Sequence, residues 1–155
     1  NDFMSLIQIN DNRPDDIKAI QWLSFASNAF NVMVPFYADI ETTPDYLSNT
    51  TGEVSTDNFY WSSRMIAAMA DASYKKSVFH IERYQEHVLS KGHEIINRYD
   101  DMIQNETNTD RHLALKHEAN QAVADMLKAA TSDTLGKVLY ELSNEMKNAY
   151  SRSDA

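Results

Sequence analysis

Three short apolar runs lie near the start of the chain, and turn-forming residues separate them. The first run covers residues 3–9 and is followed by residues 10–14 (NDNRP), whose Asx and proline side chains favour a turn. The other two runs cover residues 17–26 and 30–37, with a three-residue gap between them. Apolar runs of this length between turn residues predict three strands, arranged as an antiparallel meander.

The runs are apolar on both alternating faces, as the third run illustrates. One face carries Phe30, Val32, Val34 and Phe36, and the other carries Asn31, Met33 and Tyr37. Strands of this kind are typically covered on both sides. Because Pro35 has no N–H to donate to a ladder, it predicts a bulge or an edge position near the end of the third strand.

After Gly52 the pattern becomes helical. Ser55, Thr56 and Asp57 are candidate N-cap residues for a helix that continues without a breaker to Lys76. A second helix is predicted over residues 78–104, and Gly92 interrupts its pattern without ending it. Its apolar residues recur at a spacing of seven, at Ile81, Val88, Ile95 and Met102.

Two more helices are predicted after a break at residues 107–110. The stripe of the third helix consists of Leu113, Ala119, Ala122, Val123, Met126 and Leu127. Thr131, Ser132 or Asp133 would cap the fourth, whose stripe is Leu135, Val138, Leu139, Leu142 and Met146. The predicted class is therefore α+β, a single domain over residues 1–155 with short antiparallel strands at about 3–37, a loop at 38–55 and a mostly helical layer at about 57–150.

Composition narrows the range of functions. The chain has 155 residues, 43% of them hydrophobic, which is enough for one core, and its net charge of −9 disfavours nucleic acid and anionic membrane surfaces as partners. No run reaches the length of a membrane span, and no signal peptide is recognisable, so we expect a soluble, cytoplasmic protein. Since the chain begins at Asn1, within an apparent strand, we expect a fragment of a longer protein.

No set of side chains has the spacing of a complete active site. The five histidines include no pair three or four positions apart, as two helical ligands to one metal ion would require, so they predict surface or capping roles and no metal site. Carboxylates such as Glu82 and Glu86 lie among basic residues and predict a solvated face. With no cysteine, no GxSxG elbow and no glycine-rich loop, we expect no catalytic residue and no cofactor in this chain.

Three consecutive aromatic residues, Phe59, Tyr60 and Trp61, begin the first predicted helix. They cannot all face one side of a helix, so at least one must contact something other than the helical core. Two interpretations remain open: core cover, or a pocket lined by Tyr60 or Trp61 together with the loop that follows Tyr37.

Three strings of residues resemble the C-terminal part of the C69 family of bacterial dipeptidases. They are IQWLSFASNAFNVMVPFYADIETTPDY, GEVSTDNFYWSSRMIAAMADA and SNEMKNAYSRSDA. The likeness covers nearly the whole chain in order. It implies an N-terminal nucleophile hydrolase, an αββα sandwich in which the mature amino-terminal cysteine attacks the peptide carbonyl and its own α-amino group acts as the base.

The chain departs from that pattern at the nucleophile, because it contains no cysteine. The resemblance therefore implies that this chain is inactive alone and that its partner is an N-terminal catalytic portion of the same protein, which would hydrolyse dipeptides. Asn31 and Tyr37 are the predicted substrate-binding residues, and the loop at residues 38–46 would border the cleft. Each also has an ordinary interpretation, as a satisfied core amide and an edge aromatic residue.

Two other classes of function are open. One is a non-enzymatic helical interaction module, in which the stripe from Ile81 to Met102 pairs with a partner helix. The other is a metal-binding module, which only the histidines favour. In the hydrolase interpretation, strands separated from the rest of the protein would expose edges and apolar faces, which predicts a homo-oligomer unless the helices cover them.

Overall fold

Three strands form an antiparallel sheet in the order β1-β2-β3, as the turn residues predict. The structure is a computed structural model, and it describes residues 3–146. The strands are β1 (Phe3–Ile9), β2 (Ala19–Phe25) and β3 (Val34–Tyr37). Among the described residues β1 and β3 are the two edges, so the edge position predicted for Pro35 is confirmed.

The register fixes which way each strand's backbone groups point. Asn10 N–H donates to the Lys18 carbonyl at 2.9 Å, and Ala38 N–H donates to the Ala19 carbonyl at 3.2 Å. Since bonded and non-bonded pairs alternate in an antiparallel ladder, even-numbered residues of β2 bond to β1 and odd-numbered residues bond to β3. Pro35 lies opposite Trp22. Its nitrogen therefore points to the outer edge, where the missing N–H removes no bond within the sheet.

Four α-helices follow the sheet, which confirms the α+β class. They are α1 (Asp45–Ser48), α2 (Phe59–Ala72), α3 (Tyr74–Asn105) and α4 (His112–Asn144), with a 3-10 turn at Thr109–Arg111. The predicted loop at residues 38–55 thus contains a short helix. The α2 cap is Asn58, whose Oδ1 accepts from Trp61 N–H at 2.9 Å; the predicted caps Ser55, Thr56 and Asp57 precede it in a separate turn.

The prediction of two helices after residue 110 is wrong, because α4 runs through residues 131–133 without a break. Thr131 is fully buried, and its Oγ1 lies 2.8 Å from the Tyr84 hydroxyl oxygen, so it joins α3 to α4 instead of capping a helix. Asp133 accepts a bond from Lys137 one turn later. Residues 147–150 of the predicted helical layer, and the part of the closing SNEMKNAYSRSDA string beyond Met146, lie outside the described residues.

The seven-residue stripe predicted on the second helix faces the core only in its first half. Ile81 and Val88 are buried, whereas Ile95 is half-buried and Met102 is 43% exposed. A straight α-helix drifts by about 20° per heptad, so the buried face moves on to Gly92, Ile96, Asp100 and Ile103. Because Ile81 and Val88 pack within the chain's own core, they offer no surface to a partner helix.

Cover over the sheet is uneven. All four residues of β3 are buried, as predicted, and α3 approaches so closely that a Cβ added to Gly92 would lie 2.7 Å from Pro35 Cδ. In contrast, β1 contacts no helix or strand except β2 within residues 3–146, so cover on both sides is wrong for β1. No described helix is long and apolar enough to cross a membrane.

Candidate functional site

A buried polar network surrounds the point where β3 ends and the loop at residues 38–46 begins. Tyr37 is 1% exposed, and its hydroxyl donates to Asp100 Oδ1 at 2.6 Å and lies 3.2 Å from the Ile96 carbonyl oxygen. Burial, reinforced by the hydrogen bond to Asp100, raises the pKa of the Tyr37 phenol. The phenol is therefore neutral and acts as a hydrogen-bond donor.

Asp100 joins this phenol to the turn between β1 and β2. Its Oδ2 lies 2.6 Å from Arg13 Nη2, and its side chain is 6% exposed. Burial raises the pKa of the Asp100 carboxyl, while the hydrogen bond from Tyr37 and the charge of Arg13 oppose that shift. The three side chains tie the end of β3 to α3 and to the first turn of the chain.

Asn120 completes the edge of β3 with a single side chain. Its Oδ1 accepts from Tyr37 N–H at 2.8 Å, and its Nδ2 donates to the Tyr37 carbonyl at 3.1 Å. These are the two outward-pointing backbone groups of Tyr37. The side-chain amide of Asn120 therefore takes the place of a neighbouring strand.

Three polar residues of α4, four positions apart, share the face that holds this region. They are His112, Lys116 and Asn120. Lys116 is 3% exposed, and its Nζ donates to the Asp16 carbonyl at 3.0 Å and to Asp39 Oδ2 at 3.2 Å. This lysine therefore joins the turn before β2 to the loop after β3.

His112 and His117 hold chain segments on either side of Lys116. His112 Nδ1 lies 2.6 Å from Asp16 Oδ2, and Nε2 lies 2.9 Å from the Glu106 carbonyl oxygen. The Glu106 carbonyl, and then Asp16, raise the pKa of His112. His117 Nε2 accepts from the backbone N–H of Glu41 at 3.0 Å, so α4 orders the loop by hydrogen bonds to its backbone.

Chemically, the network positions a loop. Its polar atoms bond to one another, and the hydroxyl that it pairs with a carboxylate, that of Tyr37, has a raised pKa and is therefore not an activated nucleophile. The spacing of residues along the sequence does not reveal the network, because nearly all of its bonds join residues 59 to 100 positions apart, from Tyr37 with Ile96 to Lys116 with Asp16. One signal was available: Lys116 and Asn120 flank Ala119 on an apolar stripe, where a charge or an amide needs a buried partner.

The structure places the two predicted substrate-binding residues apart. Asn31 is 3% exposed; its Nδ2 donates to the Ser27 carbonyl at 3.1 Å, and its backbone carbonyl accepts from Gln85 at 2.9 Å. Tyr37 instead bonds to Asp100, 15 residues further along α3, which corresponds to about 22 Å of helix. Asn31 Oδ1 is buried without a hydrogen-bond partner, whereas the polar groups of Tyr37 are satisfied.

The aromatic cluster divides between core and loop, as its spacing predicts. Phe59 is fully buried, with its ring centroid 6.1 Å from that of Tyr46 and 5.3 Å from that of Phe25. Trp61 Nε1 donates to the Thr51 carbonyl at 2.9 Å. Tyr60 is half-buried beside Phe25. Phe59 therefore belongs to the core, and Trp61 anchors the loop that precedes α2.

Within the described residues the histidines form no metal centre. Within residues 3–146 no three His, Cys, Asp or Glu side chains are grouped so that they could hold a metal ion. His80 and His87 line an open groove of about 620 Å³ between α3 and α4, away from the β3 network; Arg83, Lys91 and Lys137 line it as well. Lys91 and Lys137 each pair with a carboxylate of their own helix. The groove therefore carries both positive and negative side chains.

Comparisons with known proteins agree on one family. The family model described as Peptidase family C69 matches residues 1–87. Over 97% of its length the chain is 38% identical to "Probable dipeptidase A" of Streptococcus pyogenes serotype M3 and 34% identical to "Dipeptidase" of Bifidobacterium longum. It is 32% identical, over 99% of its length, to "Probable dipeptidase B" of Lactococcus lactis.

The match covers only part of each relative. The chain spans 31% of the Streptococcus protein, 35% of the Bifidobacterium protein and 32% of the Lactococcus protein. It therefore spans about a third of the length of these relatives.

Proposed function

The chain belongs to peptidase family C69, and we propose that it is the C-terminal portion of a dipeptidase. The observation that carries this proposal is the extent of the match: nearly the whole chain aligns with proteins named dipeptidases, yet it spans about a third of each. The chain's own residues would then supply structure around a site whose reactive group lies elsewhere in the full-length protein.

We propose that this reactive group is an amino-terminal cysteine outside the chain. In support, the chain has no cysteine, and the polar network at the end of β3 contains no activated nucleophile. The thiol would transfer its proton to the free α-amino group, and the thiolate would attack the peptide carbonyl and form a thioester as the amine leaves with a proton. Water would then hydrolyse the thioester and regenerate the thiol.

We propose that the loop at residues 38–46 forms one wall of the substrate cleft. Its support is the set of bonds from α4 at and after the start of the loop: Asn120 holds Tyr37, the residue before the loop, while Lys116 holds Asp39 and His117 holds Glu41 within it. A loop held by one helix at its start and at two of its own residues keeps its position when a substrate arrives, which lowers the cost of ordering it. The sheet would belong to an αββα sandwich completed by the rest of the protein.

Asn31 and Tyr37 are proposed to contact the substrate in the full-length enzyme. Asn31 has the stronger support, because its buried Oδ1 has no hydrogen-bond partner and could accept from an N–H of the dipeptide. If either residue contacts substrate, changing it to alanine lowers kcat/KM by more than the accompanying loss of stability explains. Unchanged kcat/KM in a folded variant would remove that residue from the site.

The test of the proposed function is dipeptide hydrolysis by the full-length protein before and after its amino-terminal cysteine is replaced by alanine. Removing a covalent nucleophile lowers kcat by roughly a thousandfold or more in comparable hydrolases. A full-length protein that hydrolyses dipeptides equally well without that thiol would refute the cysteine mechanism, and one that hydrolyses none would refute the dipeptidase assignment.

A further inference from the structure

The two edges of the sheet differ in how their outward backbone groups are treated. On β3, the outward position of Pro35 has no N–H, and the outward N–H and carbonyl of Tyr37 are both bonded to Asn120. Folded proteins protect sheet edges in these ways because an unpaired edge is a template for another strand. The β3 edge is thus closed to further pairing.

The outer edge of β1 has no such protection. Residues 4, 6 and 8 pair with the even-numbered residues of β2, so by the same alternation the backbone groups of Ser5 and Ile7 point away from the sheet. No strand, side chain or loop of the described part of the chain bonds to these groups. The strand sequence, FMSLIQI, contains neither a charged residue nor a proline.

The side chains of β1 are apolar on both faces and exposed on both. Phe3 is 52% exposed, Ile7 51% and Ile9 63% on one face, and Leu6 is 56% exposed on the other. A strand that faces water on one side normally alternates apolar with polar residues. An uncharged edge strand with apolar side chains on both faces has the pattern of a strand inside a larger sheet.

We propose that the outer edge of β1 pairs with a strand from the same polypeptide that lies outside this chain. The inference rests on the proposed function, since it needs a longer protein, and about two thirds of each relative's length lies outside the match. A second copy of the chain fits less well, because each copy carries a net charge of −9 and the copies repel. The partner strand would be extended and apolar, with its N–H and carbonyl groups facing Ser5 and Ile7.

Hydrogen exchange in the full-length protein, resolved to single amides, tests this pairing. Leu6 and Gln8 are internal controls, because their amides bond to β2 in either case. If β1 is an inner strand, Ser5 and Ile7 exchange as slowly as these controls, about a hundredfold or more below the rate of an unbonded amide. Slow exchange at Leu6 and Gln8 with fast exchange at Ser5 and Ile7 would overturn the proposal.

Two further measurements identify which polypeptide supplies the strand that pairs with β1. Protection of Ser5 and Ile7 that disappears on dilution would assign the edge to a second copy and overturn pairing within one polypeptide.

In the full-length protein, Ile7→Pro removes one outward N–H and leaves the β1–β2 ladder intact. It should therefore lower the melting temperature more than Ile7→Ala does, and equal effects would contradict the pairing. Dipeptide hydrolysis is assayed on the same preparation, since protection without hydrolysis would refute the proposed function alone.

Discussion

At the scale of single residues, Asn120 and Tyr37 show how a side chain ends a sheet. The two bonds of the Asn120 amide, at 2.8 and 3.1 Å, satisfy backbone groups that are fully buried. Unsatisfied, each of these groups would carry a desolvation penalty of about 1–3 kcal/mol. The stability of the loop after β3 therefore depends strongly on one residue of α4.

Asn120→Ala should destabilise the protein by about 2 kcal/mol or more, because it leaves the Tyr37 N–H and carbonyl without partners. Gln121→Ala is the matched control: the neighbouring side chain is exposed and bonds only to Asp125, so its loss should change stability by less than about 0.5 kcal/mol. Urea denaturation of both variants provides the comparison. Equal midpoints would show that Asn120 does not support the edge of β3.

His112 makes stability depend on pH in a direction that its bonds determine. The Glu106 carbonyl, followed by Asp16, raises the pKa of His112 above its unfolded value of about 6.5. A raised pKa contributes stability that is fully present below the unfolded pKa and is lost as the pH rises through the folded pKa.

The wild-type protein should therefore lose more stability than His112→Gln does as the pH is raised from about 5.5 to about 8. Melting temperatures of both proteins across this range measure the difference. Parallel pH profiles would mean that His112 binds its proton equally well in the folded and unfolded states.

At the scale of elements, the contact between α3 and β3 depends on a glycine. A Cβ added at Gly92 would meet Pro35 Cδ at 2.7 Å and Cγ at 2.9 Å, whereas one added at Gly136 of α4 would meet nothing within 4 Å. Alanine is favoured over glycine in a helix by about 1 kcal/mol. The two glycines thus provide a matched pair with opposite expectations.

Gly136→Ala should stabilise the protein by about 0.5–1 kcal/mol, and Gly92→Ala should destabilise it by about 1–3 kcal/mol because the buried proline ring cannot move aside. Thermal denaturation of the two variants is the measurement. A stabilised Gly92→Ala variant would indicate that α3 can shift away from β3 without cost.

Element boundaries could be predicted where local residues determine them. The turn at residues 10–14 separates β1 from β2 as predicted, because turn chemistry acts over a few residues. The third strand is shorter than its apolar run at residues 30–37, since β3 begins only at Val34. The break near Thr131 was wrong since the same hydroxyl that can cap a helix here bonds to Tyr84, 47 residues away. The β3 network depends on such distant partners, so only its unusual polar residues on α4 could have suggested it.

At the scale of the whole molecule, the sheet is covered at its β3 edge and exposed at its β1 edge. Apolar residues on both faces of each strand predict that every strand is covered on both sides. Within the described residues this holds for β3 but not for β1. The α+β class and the family could be predicted, because they depend on periodicity and on long matching strings. The exposure of β1 could not, because its apolar pattern predicts cover; we propose that the rest of a longer protein supplies that cover.

We propose that this chain is the portion of a C69 dipeptidase that lacks the nucleophile. The most direct measurement compares dipeptide hydrolysis by the purified chain and by the full-length protein at equal concentration. We expect turnover by the full-length protein and none by the chain. Dipeptide hydrolysis by the chain alone, which contains no cysteine, would contradict it.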